Sequence, residues 1–537
     1  MNVPDDHHRH HAPVAWTGRV LALAGLLASA ALFSLILAGA IAGSVGHQSD
    51  SQPPTTHWGA LLLSTIAVAV GIGTAATLLA LPAAWLIRSL RFRWIGLLCA
   101  PLLLPTYIIY ASWNLLRAPG AALGDRLAAL DPVWDTTFGH AIAIGGLALW
   151  AWPIAALIIG ARARRIDDDV LDSLRLTAGS RFRRSLVLLG LLRGSIIASI
   201  TVITAIMLGS AVPLHVAQVP TYAIHLWRTL SETAGSAAAW HAAWPLVLVA
   251  VMAGWTLGGA LTGMSSRTSQ PGVAGPAARR RGVAAPLGAA AVWALAVLVP
   301  LALLLNSLSS TAAIRHFWLE DAPIVLETTG NAALTALFAL PIVFAVALGL
   351  SPDAPATLRR LTRWSLRLWI IGALLPGVLV GQALVEAAAW PGLHWIADTR
   401  AGLILAHLIR FGAIAALAGW WMAWIEPDAL RSARRLFAGD GLRAWLSTSA
   451  RLEAGVILGA VLAVGLLSLH EIEAAVILAP PGYDLLSQRI LSLLHYLHDE
   501  NLSATVIHLL LGGILIATVA GMTVGRSTDA WNRMHAS

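Results

Sequence analysis

The chain has 537 residues, of which 58% are hydrophobic and only 12% charged, with a mean hydropathy of +0.74. That balance excludes an ordinary soluble globular protein and predicts an all-α polytopic membrane protein. The net charge of +8 and pI near 10.7 do not mark a nucleic-acid binder, because the arginines lie in short loops between apolar runs.

Two residue counts narrow the chemistry. There is no lysine, and a P-loop needs one to reach the β- and γ-phosphates, so ATP hydrolysis is not expected on this chain. The single cysteine, Cys99, lies in an apolar run and excludes both an internal disulfide and a cysteine metal cage.

In chain order, the first segment (1–13) carries His7, His8, His10 and His11 and reads as a cytoplasmic tail, since an unstructured His-rich tract lacks fixed ligand geometry. The apolar run from Val14 to Ala42 is too long for a cleaved signal and is read as a retained span. Further spans are predicted near 58–87, 94–116, 137–160, 187–212, 241–263, 284–307, 326–350, 365–387, 401–424, 454–478 and 503–525, which makes twelve at about 20 residues each. Pro101, Pro105, Pro153, Pro341 and Pro376 fall within them, as membrane helices tolerate. A polar, Pro/Gly-rich linker at 265–283 divides a first half (14–264) from a second (284–525), and 526–537 forms a closing tail. Arginine is concentrated in alternate connections, which places both termini and the loops 161–186 and 425–452 on the cytoplasmic side. Most of the 23 Trp read as an aromatic belt; Arg410, inside the tenth span, is expected to face the bundle, its partner not evident.

The two cytoplasmic loops resemble each other. Arg175-Leu176-Thr177-Ala178-Gly179-Ser180-Arg181-Phe182-Arg183 and Arg435-Leu436-Phe437-Ala438-Gly439-Asp440-Gly441-Leu442-Arg443 both fit R-L-x-A-G-x-x-Φ-R. Acids precede each copy, among them Asp167, Asp168, Asp169 and Asp172 in the first and Glu426 and Asp428 in the second, which suits a short helix ending at a left-handed Gly. A second correspondence follows at nearly the same offset: Pro220-Thr221-Tyr222 with Arg228, then Pro481-Gly482-Tyr483 with Arg489. Two matches in one order argue for a duplicated unit of roughly 260 residues. Topology alone needs arginine but not the same Leu, Ala and Gly, so the repeat predicts two equivalent docking surfaces.

These features resemble the fused permeases of binding-protein-dependent ABC importers, the iron(III)-type branch in particular, over nearly the whole chain. Asp172-Ser173-Leu174-Arg175-Leu176 stands where the family has Glu-Ala-Ala-Arg-Leu, and Arg431-Ser432-Ala433 stands there in the second half. The second loop departs from the pattern in having Arg431 for the acid, and the Gly of both loops is displaced. The closer match is Ser468-Leu469-His470-Glu471-Ile472-Glu473-Ala474, Ala479-Pro480-Pro481-Gly482, Arg489-Ile490 and Leu494-His495-Tyr496, against the family's S-L-x-E-L-x-A, A-P-P-G, R-I and L-H-Y series.

The resemblance implies a type I importer fold of two six-helix halves in the bacterial inner membrane. It also implies two separate ATPase subunits that hold ATP and Mg and grip the loops, an external substrate-binding protein, and no catalysis by the chain itself. The ATPase-coupling residues are then Asp172, Arg175, Leu176, Ala178, Gly179, Phe182 and Arg183, with Arg435, Leu436, Ala438, Gly439, Leu442 and Arg443. The pathway or gate is expected near His470, Glu471, Glu473, Pro481, Gly482, Tyr483, Arg489 and His495, with Pro220, Tyr222 and Arg228. Oxygen ligands and imidazole suit iron, so Glu471, Glu473 and His470 are the candidate metal contacts; the plainer reading is interfacial residues satisfied by water or Arg489.

The cargo is expected to be iron(III), although thiamine, polyamine and phosphonate importers share the architecture. Two other functions fit twelve spans. A secondary transporter of two six-helix halves would need buried carboxylates for proton coupling, which are scarce here, and a membrane glycosyltransferase would need Asp167 to Asp169 to hold a metal, where a helix N-terminus accounts for them more simply.

Overall fold

The computed structural model describes residues 12–45, 58–88, 90, 92–117, 121–129, 132–164, 166, 168–177, 179–232, 237–264, 283–397, 399–426, 428–437, 442–448, 450, 453–496 and 499–536. Among them the regular structure is entirely helical.

The first block of the chain opens with two long apolar helices, α1 (Ala12–Val45) and α2 (Trp58–Ile87). The third apolar stretch does not cross as one helix. It breaks into α3 (Phe92–Leu98), a 3-10 turn (Ala100–Leu103) and α4 (Thr106–Asn114), because Leu104 is extended (φ −89, ψ 144) ahead of Pro105. After α5 (Ala122–Ala128) come the long α6 (Pro132–Ala163), the short α7 (Asp168–Thr177) and the long α8 (Arg181–Leu208). Two short helices, α9 (Val212–Val216) and α10 (Tyr222–Glu232), lead to α11 (Ala237–Met264).

The second block repeats this order. A lead helix, α12 (Ala284–Trp293), continues through a π-turn into α13 (Val299–Asn306), and α14 (Ala312–His316) continues through another into α15 (Ala322–Leu350). The next pair, α16 (Ala356–Leu374) and α17 (Gly377–Ala388), is bent by 109° at Leu375-Pro376, and Leu375 (φ −69, ψ 141) has the extended conformation of Leu104. Then follow α18 (Arg400–Ile425), the short α19 (Asp428–Phe437) and α20 (Leu442–Ser447), α21 (Ala454–Leu469), the short α22 (Ala475–Leu478) and α23 (Leu486–His495), and α24 (Asp499–Ala536).

Among the described residues nine helices are long and apolar enough to cross a membrane, or ten if the bent α16–α17 pair counts as one span. The chain is therefore an all-α polytopic membrane protein. The expected spans 94–116 and 454–478 are not single long helices: the first is broken at Pro105, and the second is the 16-residue α21 followed by a buried loop. At 1.5 Å per residue α21 is about 24 Å long, short of a hydrocarbon core of about 30 Å. Residues 526–536, expected as a tail, continue α24. The rest of the expected N-terminal tail (1–11) and nearly all of the linker (265–282) lie outside the described residues.

The two blocks interlock by exchanging their ends. α1 packs on α15 and α17 of the second block, while α12 and α13 pack on α2 and α4 of the first; α11 lies on α16, and α24 on α3. Small residues permit the close crossings: a Cβ on Gly39 would stand 1.9 Å from the Ala383 carbonyl oxygen of α17. Outward-facing Leu63, Leu326 and Leu515, each more than 60% exposed, give the bundle the apolar surface that lipid covers.

α8 and α21 end at a common point, where the loop after α21 bonds to Ala211 just past α8. α8 ends beside the far end of α16 (Gly209 against Pro376), whereas the near end of α16 (Thr362) and the last turns of α18 (Gly419) lie against the end of α15 (Gly349 and Val346), so α8 begins on the face where α18 ends. The elements that lead into α8 and α21, α7 on one side and α19–α20 on the other, therefore share that face.

Candidate functional site

The repeated face comes first. α7 is tied to the end of α2: Arg88 pairs with Asp168 at 2.6 Å and donates to the Ile166 carbonyl, and Arg164 donates to the carbonyls of Ile87 and Leu90. Within α7, Arg175 pairs with Asp172 at 2.9 Å. Gly179 has φ +59, the left-handed conformation expected where this helix stops, and Ser180 caps α8 by accepting from the Arg183 amide.

The second copy is held differently. Buried Glu426 pairs with Arg431 at 3.5 Å and Arg434 at 3.3 Å, so these two arginines fold α19 back onto the end of α18. Glu453, at the start of α21, is pushed up to about 8 by burial and then by the charge of Glu426.

Both copies expose apolar side chains: Leu176 (87%) and Phe182 in the first, Leu436 (80%) and Phe437 in the second. Arg183 and Arg443 are exposed as well. Ala178, Ala438 and Gly439 lie outside the described residues, as do the side chains of Arg435 and Leu442.

The second site lies at the other end of α8 and α21. α21 stops at His470, and the buried loop that follows turns its carboxylates inward. Glu471 accepts from the amides of Ala474 (3.0 Å) and Ala475 (3.0 Å), capping α22 from within its own loop. Glu473 divides its two oxygens: Oε1 accepts from the Ala211 amide at 2.7 Å, and Oε2 from the Gly377 amide at 3.0 Å. Arg410 of α18 faces both carboxylates, 4.0 Å from Glu471 and 3.9 Å from Glu473, and donates to the Leu375 carbonyl. His407, one turn before it and only 3% exposed, comes within 3.8 Å of Glu471, and neither of its ring nitrogens has a hydrogen-bond partner.

The residues expected to line one pathway do not come together. Glu471 and Glu473 join the buried cluster, and His470 hydrogen-bonds to the backbone of Leu103 in the first block. Arg489 does not satisfy Glu471. It pairs with fully buried Asp321 at 2.8 Å and, with Thr505 on the other Asp321 oxygen, ties α23 to α15 and α24.

Pro481 and Gly482 form a turn in which Gly482 has φ +75 and the Tyr483 amide bonds to the Pro480 carbonyl; Arg400 lies over the Tyr483 ring at 4.7 Å. In the first block Pro220 is exposed, while the Tyr222 amide bonds to Thr65 and its hydroxyl to the Ala242 carbonyl. Arg228 and His495, from different blocks, both act electrostatically on His215, whose imidazole is held below its ordinary value by burial first and then by the Arg228 charge.

Sequence reasoning singled out Arg410 without its partners and did not single out His407, Ala211 or Gly377. His407 and Arg410 are three apart, so the helical period places them on one face. The two amide donors have no side-chain signature at all.

Among the described residues no group of three or more His, Cys, Asp or Glu side chains is placed to hold a metal ion. The oxygens of Glu471 and Glu473 are engaged by backbone amides, and His470 points to Leu103, so the three do not converge on one point. Comparison with family models, curated proteins and solved structures gave no match.

Proposed function

We propose that the chain is the transmembrane permease subunit of an ATP-driven importer, energised by two copies of a separate ATPase and loaded by an external binding protein. The observation that carries this reading is the pair α7 and α19 on one face of the bundle, each ending in an exposed Leu at the same position of the repeat, Leu176 and Leu436, with an exposed aromatic nearby at a different repeat position, Phe182 at the start of α8 and Phe437 in α19. An exposed apolar tip beside arginine on a loop has no packing role among the described residues, and two such tips suit a partner that comes in two copies. ATP and Mg reside on that partner, consistent with a chain that has no lysine for a phosphate loop. In this reading both tips and both termini face the cytoplasm of a bacterial inner-membrane protein, which the arginine bias of the loops supports.

The proposed cargo is iron(III), which rests on the resemblance of Ser468 to Tyr496 to the iron-type permeases. In this reading the permease makes and breaks no bonds. Closure of the ATPases on ATP draws the tips together and opens the opposite end of the seam between the blocks, giving alternating access.

Reconstitution of the chain with its co-encoded ATPase and binding protein tests the reading by ATP-dependent uptake of radioactive iron. Leu176→Asp with Leu436→Asp is expected to abolish uptake while leaving the folded bundle intact. Uptake that persists without the ATPase and collapses with the proton gradient would replace this reading with a secondary transporter.

A further inference from the structure

We propose that Glu473 is a latch across the seam between the two blocks, and that its bond to Ala211 holds the end opposite α7 and α19 closed. This inference deepens the alternating-access reading and rests on it.

The seam is narrow at this level. Gly209, at the end of α8, lies beside Leu374 and Pro376, where an added Cβ would be in ordinary contact, 3.4 Å from the Pro376 nitrogen. Glu473 sits in this seam, 5% exposed. Its Oε2 bond to Gly377 stays within the second block, whereas its Oε1 bond to Ala211 crosses to the first. If the blocks part here the first bond survives and the second breaks.

Charge accounting supports a role other than neutralisation. One carboxylate suffices for Arg410, and Glu471 already supplies it while capping its own loop. Glu473 adds a second buried negative charge that Arg410 does not need. A buried carboxylate is costly unless its hydrogen bonds are made, and the bonds that hold Glu473 are to the amides of two different blocks. The repeat isolates the feature. Pro220 and Pro481 correspond, and the same offset sets Val212 opposite Glu473, so the first block has an apolar side chain where the second has the latch.

The test labels exposed Leu176→Cys and Leu436→Cys with spin labels in a Cys99→Ala background and measures the tip-to-tip distance of the full chain in lipid nanodiscs. With Glu473 intact a single distance is expected. In Glu473→Ala, loss of a charge-assisted bond predicts a shift of about tenfold toward a second, shorter distance. Glu473→Gln, which keeps an acceptor for one amide only, is expected to shift the same way and decides the matter if the alanine variant does not fold. An unchanged distribution in the folded variants overturns the latch. No ATPase or cargo enters this measurement, so failure of the importer reading appears separately, as a chain that neither binds nor responds to an ATPase.

Discussion

Arg410 donates a hydrogen bond to the carbonyl oxygen of Leu375, the residue before the proline that bends α16 into α17. The first block solves the same problem with a different side chain: Trp150 of α6 donates to the Leu104 carbonyl, ahead of Pro105, at 2.9 Å. The residue before each proline is extended, so the helix stops there and its carbonyl has no helical donor; a buried carbonyl must then find another. Only in the second block is that donor charged, and the two carboxylates beside it follow from that choice.

Replacing Arg410 with leucine removes the donor and leaves Glu471 and Glu473 buried without a counter-charge. The expected cost is about 3–5 kcal/mol, the usual penalty for breaking a buried ion pair from one side. Thermal unfolding of the purified protein in detergent measures it. Adding Glu473→Gln to Arg410→Leu is expected to recover part of the loss, because one carboxylate is then neutral.

Two threonines test the repeat itself. Thr65 accepts the Tyr222 amide at 2.8 Å, and Thr328 accepts the Leu486 amide at 3.0 Å. Both hydroxyls are buried, and both receive the first turn of a short helix, α10 or α23. Thr65→Val and Thr328→Val keep the shape and remove the acceptor, so each is expected to cost about 1–3 kcal/mol for an unsatisfied amide. Similar losses in unfolding midpoint would support equivalent roles; a loss confined to one site would count against them.

The all-helical membrane character was legible because long apolar runs separated by arginine leave few alternatives, and Gly179 announced its left-handed turn, but the number of spans was not. The breaks were also written in the chain, as Pro105 and Pro376, but a proline inside an apolar run looks the same whether a helix runs through it, as α6 does at Pro153, or ends at it. Long-range partners were the illegible part. Arg489 lies within twenty residues of Glu471 and was a natural candidate to satisfy it, yet it pairs with Asp321, 168 residues away. The atoms that hold Glu473 are main-chain amides, which every residue but proline carries.

The pH response of the second repeated loop follows from Glu453. Burial, and secondarily the charge of Glu426, raise its carboxyl from 4.5 to about 8. A raised carboxylate is protonated in the fold at a pH where the unfolded chain has already released the proton. The stability it permits is fully present below about pH 4.5 and declines as pH rises toward 8. Hydrogen exchange of segment 428–453 is expected to quicken from pH 5 to pH 8, after correction for the intrinsic rate, and Glu453→Gln is expected to flatten that dependence. A wild-type profile already flat over this window would remove the assignment.

The exchange of α1 onto the second block depends on backbone contact at Gly39. An alanine Cβ there would stand 1.9 Å from the Ala383 carbonyl oxygen and 3.0 Å from the Ala383 Cα, both main-chain atoms that no rotamer change relieves. Gly39→Ala must therefore push α1 off α17, with an expected loss of at least about 1–3 kcal/mol by overpacking. Gly71, in α2, meets nothing within 4 Å, and Gly71→Ala is expected to be neutral or stabilising by up to about 1 kcal/mol, since alanine favours the helix. Because Gly39 is where α1 meets the backbone of α17, Gly39→Ala is also expected to open the link before α2 to limited proteolysis, while Gly71→Ala is not. Equal melting temperatures and equal cleavage in the two variants would mean that α1 does not clasp its distant partner in the membrane.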